Sequence, residues 1–117
     1  MNKLILGIAI ALVSTVAFSE KNYTVEQLES LIAANNKPSI LLPSLDGSIA
    51  KDDFPTCKSG LIEWLDGVKT YPVTIEKDID GEFSATIWSE SKAFLVSCVK
   101  SGDKAKAIRM SAEYSDN

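Results

Sequence analysis

The chain contains no histidine. That removes the commonest general base and the commonest zinc ligand, and with them every Ser-His or Cys-His nucleophile arrangement. Cysteine is scarce: Cys57 and Cys98 are the only two, too far apart in sequence for a C-x-x-C redox motif. No glycine-rich phosphate cradle is present. Basic residues are in the minority, 12 Lys and Arg against 16 Asp and Glu. The basic stripe of a nucleic-acid binder is therefore missing, and so is the charge that draws a protein to an anionic membrane surface. Past the N-terminus, no apolar run approaches the roughly 20 residues that a membrane-spanning helix requires.

What is present begins at the N-terminus. Lys3 supplies a positive charge, Leu4 to Val16 is an almost unbroken apolar run, and Ala17 and Ser19 are small. This is the layout of a secretory leader covering residues 1–19 with cleavage after Ser19, the alternative being an uncleaved N-terminal anchor. The mature chain, 20–117, is one small domain. It keeps 16 acids and loses one base of 12, for a net charge of −5. Export to the periplasm or the medium places it in an oxidising compartment, where Cys57 and Cys98 are expected to pair.

Asn22 to Gln27 reads as the start of a helix. Thr24 with Gln27 forms a capping box, Val25, Leu28, Leu31 and Ile32 make an apolar stripe, and Asn35 to Pro38 stops it. Ser39 to Pro43 is an edge strand at most, Asp46-Gly47 reads as a turn, and Lys51 to Asp53 as a solvated loop. Between Cys57 and Val68 two readings compete. Cys57, Leu61, Trp64, Leu65 and Val68 fit a short helix capped by Thr56, whereas Gly60 and Asp66-Gly67 suit a strand and hairpin. The helix is favoured, with Trp64 in the core.

From Tyr71 the period becomes two. Val73 and Ile75, then Phe83, Ala85 and Ile87, then Ala93 to Val99, then Ile108 to Tyr114 read as four antiparallel strands, turning at Asp80-Gly81 and Ser101-Gly102-Asp103. The expected fold is α+β: an N-terminal helix packed on a four-stranded antiparallel β-meander with one disulfide.

Carboxylates are the only reactive groups left in number. Asp78, Asp80 and Glu82 crowd one turn, but the spacing lacks the glycine position and closing glutamate of a calcium loop, so neither metal nor other cofactor is expected. Trp88 falls on the polar face of its strand, beside Thr86 and Ser84 and close to Asp80 and Glu82. If the helix covers the opposite Phe83 face, these five residues form an open protein-binding surface with Trp88 as anchor; the other reading puts Trp88 under the helix or a loop. Charge is segregated: Glu63 to Glu90 carries seven acids and two lysines, Lys92 to Arg109 five bases and one acid.

Phe54-Pro55-Thr56-Cys57, a second cysteine on a late strand and Ala112-Glu113-Tyr114 resemble in outline the small periplasmic proteins of the colicin M immunity type. The spacing differs, a helix precedes the first cysteine here, and no residue's role is carried over. The expected function is that of an exported, non-catalytic protein that binds another protein, whether a toxin, an enzyme or an envelope component. An immunity protein or enzyme inhibitor would work this way. The alternatives are a small accessory component of an envelope or secretion assembly and, third, a small carboxylate-dependent enzyme.

Overall fold

The computed structural model describes residues 22–115; the expected leader and its cleavage site lie outside these. Helix α1 spans Val25–Ala33, β1 Ser44–Lys51, α2 Phe54–Asp66, β2 Val73–Ile79, β3 Glu82–Trp88, β4 Lys92–Ser101 and β5 Lys104–Glu113. The strands form one antiparallel sheet in the order β1-β5-β4-β3-β2. The α+β class holds, with the four-stranded meander as its body. The sheet gains a fifth strand, and a helix lies on each face rather than on one.

That fifth strand corrects the reading of Asp46-Gly47 as a turn. Ser44–Lys51 pairs with β5 along its length, and the register shifts between Leu45 and Gly47. Asp46 is the extra residue of a β-bulge, not the corner of a hairpin. Its carboxylate accepts a hydrogen bond from the Ser111 hydroxyl at 3.2 Å and lies 4.0 Å from the Arg109 guanidinium. The local signal was the same; pairing with β5 decided its meaning.

The helix ends were written locally and form as read, with one change. The Thr24 hydroxyl accepts from the Gln27 amide at 3.1 Å, and the Gln27 side chain accepts from the Thr24 amide at 2.9 Å. At the other end Asn35 takes a left-handed φ of 58°. The Asn36 amide then reaches back to the Leu31 carbonyl, and that of Asn35 to Ile32, closing a Schellman motif. In α2 the cap is Asp53 rather than Thr56: its carboxylate accepts from the Thr56 amide at 2.8 Å, and bonding from Thr56 holds its pKa below the usual value. Pro55, which has no amide to leave unsatisfied, follows in the first turn.

On one face of the sheet, Leu65 of α2 packs among Phe83, Ala85, Ile87 and Val96, with Phe54, Leu61 and Val68 alongside. Next to this, Cys57 and Cys98 are bonded over Ala105 and Ala107, both cysteines buried, at a sequence separation of 41. A formed disulfide fits an oxidising compartment. On the opposite face, α1 sets Leu28 against Trp88, Ala93 and Tyr114. Trp88 pairs with Ala93, and Ala93 with Ala112; these two alanines lower the floor enough for a helix to lie there. The Tyr114 hydroxyl donates to the Ser89 carbonyl at 2.6 Å, its ring stacks on Trp88, and Tyr23 meets it edge-on.

Two outcomes follow. Replacing both cysteines by alanine removes a loop constraint worth about 4 kcal/mol, so the denaturant midpoint of the double variant should fall far below that of the oxidised protein, which reduction of the wild type should reproduce. The second outcome concerns Tyr114. Burial, and secondarily Tyr23, raise its pKa above the ordinary value of 10.0. The folded state resists ionisation that the unfolded state allows. The stability this provides is complete below about pH 10 and is lost as pH rises above it. Tyr114→Phe should cost about 1–2 kcal/mol at neutral pH, and its stability should decline less steeply on alkaline titration than that of the wild type.

Candidate protein-binding surface

The two tryptophans have exchanged the places expected of them. Trp88, expected on an open face, is 4% exposed, and its indole N–H donates to the Thr74 hydroxyl at 3.0 Å. Thr86 is buried with it. The physical reason is that α2, not α1, covers the Phe83 face, which frees α1 for the Trp88 face. Neither residue is available as an anchor in this state. Of the other expected residues, Ser84 is half-buried opposite Ser97, Glu82 accepts from the Lys77 ammonium at 3.4 Å, and Asp80 is exposed at the β2–β3 turn. These three stay on or beside the uncovered lower part of that face, but without the tryptophan they were expected to surround.

Trp64, expected in the core, is 52% exposed. The centre of the α2 contact is the Phe54, Leu61 and Leu65 line. Trp64 follows Cys57 by seven residues, two helical turns, and so shares its strip of the helix. Cys57 faces Cys98 of β4, whose neighbour on β5 is Ala107, paired in turn with Ile49 of β1. That strip therefore looks toward the β5–β1 side, where Ile49 is 63% exposed and Arg109 is exposed on the same sheet face.

The opposite strip of α2 looks toward β2. Lys58 donates to Asp78 of β2 at 2.6 Å. One and two turns further on come Ile62 and Asp66, which with Leu65, Val73, Ile75 and Phe83 line an open groove of about 310 Å³. Asp66 is the one charged residue in that lining, and among the described residues it has no ion-pair partner. Ile62 and Ile75 are both exposed. Beyond Ile75, β2 bulges at Glu76. Partial burial pushes the Glu76 carboxyl up, but the hydroxyls of Thr74 and Thr86 and the ammonium of Lys37 outweigh it and hold the pKa below the usual value.

Among the described residues, no three His, Cys, Asp or Glu side chains gather in a way that could hold a metal, and no helix is long and apolar enough to cross a membrane. What the arrangement offers is apolar contact area on a stiff base: two aliphatic residues on one flank of α2, a tryptophan and an isoleucine on the other. No family model, curated protein or solved structure matches the chain.

Single-tryptophan variants separate the two environments. Trp88→Phe, which leaves Trp64, should emit at long wavelength and be quenched readily by acrylamide, whereas Trp64→Phe should give blue-shifted, quench-resistant emission. Trp64→Ala should cost no more than about 0.5 kcal/mol, and Trp88→Ala about 3–5 kcal/mol; equal costs would contradict the assignment.

Proposed function

We propose that this is an exported, non-catalytic protein that acts in the periplasm by binding another protein, in the manner of an immunity protein or an enzyme inhibitor. The observation that carries this reading is the exposure of Trp64, Ile49, Ile62 and Ile75 along the flanks of a disulfide-held helix. Large apolar side chains on a rigid base lose little entropy when covered, and tryptophan is the residue type most enriched at energetic centres of interfaces. Separated charge, acidic on Glu63 to Glu90 and basic on Lys92 to Arg109, adds the means to steer one partner and reject others.

The test uses the tagged, oxidised protein against a periplasmic extract of the cell that makes it. A partner retained by the wild type at fixed stoichiometry should be lost, by about tenfold or more in affinity, with Trp64→Ala or Ile62→Asp. Both positions are solvent-facing, and unchanged melting temperatures would show that the variants fold. The isolated partner should lose its activity when the wild type is added. A partner held equally by wild type and both variants would remove the helix flanks as the working surface, and a large complex whose activity is unaffected would favour an assembly component instead.

A further inference from the structure

We propose that the outer edge of β2, with the groove between it and α2, binds an extended polypeptide segment of the partner as a sixth strand, one with apolar side chains at alternate positions and a basic residue against Asp66. This rests on the protein-binding reading and specifies how the partner is held. The hydrogen-bond pattern of β2 carries the argument. The Trp88 amide donates to the Pro72 carbonyl at 3.0 Å, and Pro72 lies in register with Trp88 one step beyond the Val73–Ile87 pair. In an antiparallel ladder the residues alternate between bonding inward and outward. Thr74 therefore bonds to β3, while Val73 and Ile75 turn their N–H and C=O groups away from the sheet.

β2 is the last strand in the sheet, and among the described residues nothing pairs with those outward groups. The same two residues point their side chains into the groove under Ile62 and Leu65. Backbone valences and apolar wall thus come from one pair of residues. A strand docked antiparallel to Val73–Ile75 would place every second side chain in that groove, which is the geometry of strand addition: main-chain bonds give affinity and alternate pockets give specificity. The groove carries a single carboxylate, Asp66, at the C-terminal end of α2. The carboxylates next along β2 are already matched, Asp78 by Lys58 and Glu76 by Lys37. Asp66 is left to select a cation on the incoming chain.

The experiment is an NMR titration of the ¹⁵N-labelled, disulfide-bonded protein with a short synthetic peptide that alternates valine and threonine between terminal lysines. A second peptide replaces the lysines by glutamates. Expected are shifts and new exchange protection at the Val73 and Ile75 amides, none at the already bonded Thr74 amide, and binding of the glutamate peptide weaker by about tenfold. Asp66→Lys, an exposed change at a helix C-terminus, should reverse that preference. No perturbation at millimolar peptide, perturbation confined to β1 or to the Trp64 flank, or a preference unaltered by Asp66→Lys would overturn the proposal. So would shifts at Val73 and Ile75 that depend on protein concentration alone, which would assign the edge to a second copy of the chain. A partner retained through Trp64 while both peptides fail would sink strand addition and leave the protein-binding reading intact.

Discussion

The bond between Cys57 and Cys98 fixes where α2 crosses the sheet, and the exposed surface follows from that crossing. α2 has 13 residues, a length of about 20 Å, and a helix with its side chains is about 10 Å wide. Strands stand about 4.8 Å apart, so one helix covers roughly two of the five strands at any level. With Cys57 held over β4 and Leu65 over β3, the covered band is central and oblique. Ile49 on the β1 side and Ile75 on the β2 side are left uncovered, as are Trp64 and Ile62, which project from the rims of the helix toward them. The sheet is wider than its lid, and its apolar margins are the result.

The second face is closed differently. Its helix is shorter, Val25–Ala33, and has no covalent tie to the sheet. It depends on a fitted contact: Leu28 against Ala93, whose neighbour on β5 is Ala112, flanked by Trp88 and Tyr114. Tyr114 joins this patch to the β3–β4 connection through the Ser89 carbonyl, and its ring lies between those of Trp88 and Tyr23. Tyr114, just past β5, thereby holds α1 against the sheet. Below this patch the face carries serines, Ser84 opposite Ser97, and the Lys77–Glu82 pair, which water can solvate without a lid.

What could be read in the sequence was local. The Thr24–Gln27 capping box, the Asn35 stop, the Asp80-Gly81 and Gly102-Asp103 turns and the period-two strands depend on neighbours a few residues apart, and they form where expected. An even cysteine count gave the disulfide. The failures lie at long range. Period two correctly put Trp88 opposite Phe83 but could not say which helix covers which face, because that is set by Cys57 reaching Cys98 across the sheet. Cys57, Leu61, Trp64, Leu65 and Val68 make a continuous apolar stripe, which by itself points Trp64 to the core. The stripe is broader than the contact, and Trp64 stands at its rim. A signal for this existed: Phe54, Leu61 and Leu65 fix the centre of the face, and Trp64 is well to one side of it. For β1, Asp46-Gly47 has turn chemistry, and only β5 turns it into a bulge.

The two sheet edges are not equivalent, and the difference bears on function. An open edge invites pairing with any extended chain, and proteins blunt such edges with bulges, prolines and charges. β1 is guarded by the Asp46 bulge near its start and by Lys51 at its end. The second half of β2 is guarded in the same way, by the Glu76 bulge and by Lys77 and Asp78, each held in an ion pair. The first half, Val73-Thr74-Ile75, follows Pro72 but is itself unbulged and uncharged, and Val73 and Ile75 open onto an apolar groove. An unpaired stretch of this kind is open to pairing with any extended chain, and a docked strand would close it. This stretch lies beside α2, so the covalent placement of that helix brings the groove and the unpaired half of β2 together.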